Sequence, residues 1–217
     1  MKIEVWADLV CPFSYLGRVQ FQKALKQFRH RKQIDVIWRS FELDPDAPSP
    51  AQADMIAAMM ARYNQSRAQI HELIDKLQAM AKDAGIPLKL EQALPARSFT
   101  AHRLVYFAAQ YGLQSQAIDH LMKAHFVKGL DLNRPEVLIQ ELSLIGLDAK
   151  ALEDAYLTEA FYHDVSADQH EAWNMGVSRT PYFLIDQQFA FAGALPTDIF
   201  LKILQEAWSG QFTGMKI

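Results

Sequence analysis

The chain has 217 residues and a single cysteine, Cys11. One thiol cannot form a disulfide within the chain, which fits a reducing compartment. No run of about five like charges occurs, so a nucleic-acid footprint is lacking. The net charge of −3 points the same way. No stretch of about 18 apolar residues could span a membrane. The opening Met1-Lys2-Ile3-Glu4-Val5-Trp6 alternates like a strand and lacks the apolar core of a secretory signal. The expectation is a cytoplasmic protein, bacterial in style, with neither nucleic acid nor membrane as partner. There is no H-E-x-x-H, P-loop or Gly-rich dinucleotide fingerprint. His120 and His125 are five apart, the wrong spacing for one helix face, and His163 and His170 read as solvated. No metal site is expected. Half of the residues are apolar, enough for a sizeable core. No internal repeat is evident.

What is there reads in three stretches. Residues 3–9 look like a buried strand. From Pro12 the spacing of Tyr15, Leu16, Val19, Leu25 and Phe28 predicts a helix, with residues 29–32 as its basic C-terminal end. Residues 34–41 form a second strand. Strand, helix and strand make a βαβ unit with parallel strands. Pro45, Pro48 and Pro50 then break the chain, and helices follow. The pattern predicts them over 51–63, 67–84 (closed by Gly85), 98–111 and 117–127. On the third of these, Ala101, Leu104, Val105, Ala108 and Tyr111 share a face, with Gly112 as the cap. Asn133 is expected to cap a helix carrying Pro135 in its first turn. Asp148 opens a short one, and Thr158 caps another running toward Gly176. After Val177 the strand signal returns as "TPYFLID" and "QQFAFAG". A last amphipathic helix covers 196–208, with Ile199, Phe200, Ile203, Leu204 and Ala207 as its stripe. The fold class is α/β. Residues 1–48 and 176–217 are expected to form one discontinuous domain, and 49–175 a helical insertion. The two parts of the α/β domain must meet, because neither sheet fragment covers its own edges.

Cys11 falls at the cap position of the first helix if that helix begins with Pro12, a residue suited to the first turn. The N–H groups and dipole of a helix N-terminus favour a thiolate. The competing reading is a buried small hydrophobe, which free cysteines often are. Ser14, three residues on, can donate a hydrogen bond to the sulfur or satisfy a backbone N–H. It cannot resolve a mixed disulfide. Thr180-Pro181 opens a strand, where proline costs no ladder bond.

These blocks resemble the DsbA-like thioredoxin-fold proteins, and among them the FrnE-type branch. The resemblance spans nearly the whole chain. It rests on "DLVCPFSYLG", "WRSFELDPDAP", "SFTAHRL", "AHFVKGLDL" and "GVSRTPYFLID" with "FAFAGALP", in that order. It implies a thioredoxin fold interrupted by a large all-helical domain. Cys11 falls on the nucleophilic cysteine. Thr180-Pro181 falls on the X-cis-Pro pair whose backbone holds an extended substrate. Phe13, after Pro12, would shape the contact. Two positions depart from the pattern. Ser14 stands where most FrnE-type members have a second cysteine, so a disulfide made by Cys11 needs an outside thiol to resolve it. Arg179 replaces a small residue. Kappa-class glutathione transferases and 2-hydroxychromene-2-carboxylate isomerases resemble the same architecture, with serine-proline-aromatic-serine where this chain has Cys11-Pro12-Phe13-Ser14.

Three readings follow. The first is a thiol–disulfide oxidoreductase of dithiol–disulfide isomerase type, with Cys11 as its single nucleophile in C-x-x-S. The second is a glutathione-dependent isomerase or transferase. The third is a thioredoxin-fold binding module without chemistry. The partner is a thiol or disulfide, small or protein. No tightly bound cofactor is expected, and glutathione or another low-molecular-weight thiol is the candidate for a loosely bound one. Pro12, Phe13, Thr180, Pro181 and His102 are the expected substrate-binding residues, with Cys11 and Ser14 catalytic. His102 and Arg103, on the "TAHRL" helix, either face a cleft and bind a polar substrate group or bond a neighbouring loop. Glu42, Asp44 and Asp46 look like loop charges. Met55, Met59 and Met60 read as helix packing, or as the apolar wall of a cleft.

Overall fold

The structure is a computed structural model and describes residues 1–47 and 54–211. Pro48, Pro50, the start of the helix expected from residue 51 and the expected boundary at 48/49 lie outside the described residues.

One four-stranded sheet organises the chain, in the order β2-β1-β3-β4. The strands are β1 (Lys2–Ala7), β2 (Asp35–Ser40), β3 (Tyr182–Ile185) and β4 (Phe189–Ala192). β1 runs parallel to β2, with Ile3 opposite Val36. It runs antiparallel to β3, with Val5 opposite Phe183. β3 and β4 form a hairpin. The N-terminal and C-terminal strands therefore share one sheet, as the uncovered edges of each fragment require.

Alternation along the strands sends two sets of side chains to opposite faces. Ile3, Val5, Phe183 and Ile185 point to the face covered by α1 (Pro12–Gln27) and α9 (Thr197–Ser209). There Phe21 packs against Phe183 at 5.2 Å and Phe200 at 5.6 Å between ring centroids. Trp6 and Leu184 point to the other face, with Ala172 and Val177. Ala172 belongs to α8 (Tyr162–Asn174). The Trp6 indole donates to the Asp168 carbonyl at 3.0 Å. The Asp168 carboxylate accepts from the Ser40 N–H, the Arg39 guanidinium and the Tyr106 hydroxyl. One buried acid thus pins α8 to the outer strand.

Between β2 and β3 run α2 (Met55–Tyr63), α3 (Arg67–Ala84), α4 (Phe99–Ala109), α5 (Gln114–Phe126), α6 (Pro135–Ser143), α7 (Ala149–Leu157) and α8. Local signals place several of them. Ser66 and Gln69 make a capping box for α3, and Gly85 ends it at φ +69°. Asp148 caps α7 by accepting the Ala151 N–H at 2.8 Å. The buried apolar side chains of these helices are continuous with those under the sheet.

The structure corrects several expected details. α1 ends at Gln27, so the basic residues 29–32 lie past it. α4 stops at Ala109, and Tyr111 is 59% exposed because it sits beyond the last turn. Asn133 is not a cap. Its side chain bonds the Arg97 N–H and the Pro95 carbonyl, and Arg134 is the residue before α6. Thr158 closes α7 instead of opening α8, its hydroxyl donating back to the Asp154 carbonyl. On α9 the buried residues are Phe200 and Leu204, while Ile199 is exposed.

Candidate active site

Cys11 is the N-cap residue of α1, extended at φ −94° and ψ 119°. Its carbonyl accepts the first helical bond, from the Tyr15 N–H at 3.1 Å. Its own N–H donates to the Asp8 carbonyl at the end of β1. The sulfur lies 3.8 Å from the Thr180 carbonyl, to which the thiol donates. The Thr180–Pro181 peptide is cis. Residues 169 positions apart in sequence therefore meet at one point.

Gly17 makes that meeting possible. A Cβ there would lie 2.6 Å from the Pro181 Cγ and 3.3 Å from the Ala194 Cα. Only a residue without a side chain lets the first turns of α1 lie against the Pro181 ring. Behind it, Pro181 is held through its carbonyl, which accepts the Gly193 N–H at 2.8 Å.

Ser14 is fully buried. Its hydroxyl oxygen accepts the Asp8 N–H at 3.2 Å. Its backbone N–H and its hydroxyl both bear on the Cys11 sulfur. Of the two roles open to it in sequence, the hydroxyl takes that of satisfying a backbone N–H.

Asp8 is a site residue that the sequence reading passed over. Its carboxylate is buried beside Cys11 and accepts from the Val10 and Leu43 N–H groups, at 3.0 and 2.8 Å. Burial pushes its own pKa up. An acid closing a buried strand, three residues before the cysteine, was the signal available. Burial also pushes the Cys11 thiol up, Thr180 opposes this, the Asp8 charge adds to it and the two Ser14 groups pull it down. The net direction is upward, opposite to what helix position alone implies.

The sulfur opens on a cavity of about 80 Å³, which Pro12 also lines. Val10, Leu43, Met55, Met59 and Ala96 give it an apolar wall, and Asp8, Arg62 and Tyr63 are its polar edge. Met59 belongs to the core with Met55 and Met60 packed against it, and Met55 and Met59 also line this cavity. Phe13 is half-buried and Thr180 buried, and neither lines this cavity.

His102 is a correction. The structure buries it against a separate small cavity lined by Ala7, Leu9, Trp38 and Ser40, away from Cys11. Burial pushes its pKa down to about 3, against the pull of the Phe41 backbone. It is a neutral core imidazole, because α4 turns that side of the helix onto the end of β2. Arg103 donates to the Ala155, Tyr156 and Ala160 carbonyls, at and beyond the end of α7. Glu42 is a second correction. It is buried, and one carboxylate oxygen accepts the Ser98 and Phe99 N–H groups at 2.8 and 3.1 Å. It caps α4 from a distance, whereas Asp46 is exposed as a loop charge should be.

Among the described residues no three His, Cys, Asp or Glu side chains are grouped so as to hold a metal ion. No described helix is long and apolar enough to cross a membrane.

A cysteine capping the helix after the first strand, facing a threonine-proline pair before the third, is the arrangement of a thioredoxin-type thiol site. The chain belongs to the family of DsbA-like thioredoxin domains, which it matches over residues 2–205. It is 31% identical to a probable DsbA oxidoreductase from Streptomyces coelicolor, with a TM-score of 0.88, covering 100% of this chain and 93% of that one. It is 26% identical to YwbO of Bacillus subtilis (strain 168), an uncharacterized protein, over 95% of this chain and 96% of the other. A 2-hydroxychromene-2-carboxylate isomerase shares the fold at 18% identity, with a TM-score of 0.69 over 97% of this chain and 95% of that one.

Proposed function

We propose that this protein is a thiol–disulfide oxidoreductase that works through one sulfur, Cys11. The observation that carries the reading is the position of Cys11 Sγ at the N-cap of α1, 3.8 Å from the Thr180 carbonyl and open to a cavity. The Cys11 thiolate attacks one sulfur of an incoming disulfide. A new Sγ–S bond forms, the substrate S–S bond breaks, and the leaving thiolate takes up a proton. Ser14 pulls the pKa of the Cys11 thiol down, but its hydroxyl cannot form a disulfide with the sulfur. With no second cysteine in the chain, an external thiol must attack the mixed disulfide and return Cys11 to the thiolate. Glutathione or another low-molecular-weight thiol of a reducing cytoplasm is the resolving partner in this reading. The net reaction moves a thiol group between partners and needs no bound cofactor.

One observation favours a second reading, a binding module without chemistry. Burial raises the Cys11 thiol, so the resting sulfur is a poor nucleophile near neutral pH. Incubation with glutathione disulfide, followed by intact-mass measurement, separates the two. The enzyme reading expects one glutathionyl adduct on Cys11, its removal by added thiol, and neither in Cys11→Ser. A chain that stays unmodified would leave the binding module, and exchange activity that persists in Cys11→Ser would show that Cys11 is not the reacting sulfur.

A further inference from the structure

One wall of the Cys11 cavity is a single helix face. α2 presents Met55, Ala58, Met59, Arg62 and Tyr63 to it. Steps of three, one, three and one residues are those of one face. The helix is held along its length. Asp54 caps its start by accepting the Ala57 N–H at 2.7 Å, and Met59 is buried in the core. Near its end the Arg62 guanidinium donates to the Leu43 carbonyl, and Asn64 closes the helix at φ +50°. Tyr63 is therefore the last helical residue, and α2 sets its place beside the cavity.

Most of the lining has no hydrogen to donate. Its walls are largely apolar, and the Asp8 and Asp44 carboxylates are acceptors. Besides the thiol itself, the side-chain donors that line the cavity are Arg62 and Tyr63. Arg62 is turned onto the Leu43 carbonyl. The Tyr63 hydroxyl has no hydrogen-bond partner among the described residues. The residue is 37% exposed, so water reaches it. Burial of the hydroxyl end still pushes its pKa up. A charge on Cys11 adds to this, Arg62 opposes it, and Asp8 adds a little more. Tyr63 thus remains an intact O–H where thiols ionise. Hydroxyl and sulfur are near enough for the charge of one to act on the other, yet no hydrogen bond joins them.

We propose that Tyr63 is the catalytic donor to the leaving sulfur when Cys11 exchanges with a disulfide, an assignment that rests on the oxidoreductase reading above. In such an exchange the attacking, central and leaving sulfurs lie nearly in line, at about 2 Å per S–S bond. The leaving sulfur therefore sits about 4 Å out from Cys11 Sγ, in the cavity and not at the thiol. As the Sγ–S bond forms, the substrate S–S bond breaks and its electron pair goes to that outer sulfur. The Tyr63 O–H donates a hydrogen bond to the developing charge and keeps its proton. The thiolate then takes a proton from water, which balances the one Cys11 gave up on ionising. A fixed donor placed where charge appears during bond breaking lowers that barrier. It matters most for a basic leaving thiolate and least for an acidic one that departs unaided.

The test compares the full chain with its Tyr63→Phe variant, which keeps the ring and loses only the hydroxyl. Both probes are uncharged. Hydroxyethyl disulfide releases an ordinary alkyl thiolate, whereas dithiodipyridine releases a resonance-stabilised thione. Adduct formation on Cys11 is timed by intact mass at one pH. Alkylation by iodoacetamide, whose leaving iodide needs no donor, reports the nucleophile alone. Tyr63→Phe should slow hydroxyethyl disulfide by about tenfold or more, the range for a hydrogen bond to a charged group. Dithiodipyridine and iodoacetamide should react as they do with the parent chain. Equal rates with hydroxyethyl disulfide would overturn the assignment alone. Equal slowing with all three reagents would place the hydroxyl on Cys11 itself and overturn it too. A parent chain that is alkylated but forms no adduct with either disulfide would overturn the oxidoreductase reading, and this assignment with it.

Discussion

Two forces act on the Cys11 sulfur in opposite directions. A helix N-terminus stabilises an anion by about 0.3–1 kcal/mol, and by about 2 kcal/mol when partly buried. Each pKa unit corresponds to about 1.4 kcal/mol, so the dipole lowers a thiol by roughly one unit. Full burial can raise a group by about 3 units or more. With the sulfur buried and the Asp8 carboxylate beside it, desolvation wins. The pH profile of Cys11 alkylation by iodoacetamide should therefore have its midpoint above about 8.5, the free-thiol value. Asp8→Asn removes the negative neighbour and should lower that midpoint. A wild-type midpoint near 7 would show that the helix terminus dominates, and no downward move in Asp8→Asn would show that the Asp8 charge does not reach the sulfur. The position of Cys11 was readable from Pro12 and the strand before it. Its electrostatics were not, because they depend on Leu43 and Thr180, which approach only in the folded chain.

At the scale of elements, α1 and α4 are each set by a contact that no local pattern announces. α1 lies against Pro181 through Gly17, where a Cβ would come within 2.6 Å of a ring carbon. Gly17 is helical and would ordinarily gain helix propensity as alanine. Here the clash reverses that sign. Gly17→Ala should lower stability by about 1–3 kcal/mol, the usual cost of overpacking, with a lower thermal midpoint. An unchanged or higher midpoint would mean that α1 and the 180–181 segment separate freely. α4 has no side-chain cap of its own, and Glu42 supplies one from 56 residues away. Glu42→Ala would leave two N–H groups at a buried helix end without their acceptor, which costs about 1–3 kcal/mol. Glu42→Gln, which keeps one oxygen acceptor, should lose less. Urea denaturation of the two variants orders them, and no loss in Glu42→Ala would show that the cap contributes nothing. Helix ends were readable where a cap lay close in sequence, as with Gly85 and Asp148. The start of α8 was misread because Phe161, at φ +63°, precedes it in place of a polar cap.

Across the whole molecule, the β-α-β and β-β-α ends identified the sheet, because strand alternation is local and the uncovered edges had to pair. What lies against that sheet was less accessible. The "TAHRL" helix carries a histidine in a polar-looking stretch, and only the end of β2 beside it decides that His102 faces inward. Burying an imidazole has a consequence for the stability of the entire fold. His102 is pushed down to about 3 and His125 to about 4, in both cases chiefly by burial, whereas the unfolded value is near 6.5. Between those values the unfolded chain binds more protons than the folded one, so each histidine makes stability rise with pH there. Stability is lost as the pH falls below about 6.5. For His102 alone the loss from 6.5 to 5 amounts to about 2 kcal/mol, at about 1.4 kcal/mol per pKa unit. The buried carboxylates Asp8, Glu42 and Asp168 are raised by their own burial. They act in the opposite sense, so the net acid limb is a difference and only a paired comparison isolates one group. His102→Gln keeps a polar side chain but cannot take up the proton. Its thermal midpoint should fall less between pH 7 and pH 5 than that of the parent chain, whatever its absolute stability. An identical fall in both would mean that His102 is reached by water and protonates in the folded state.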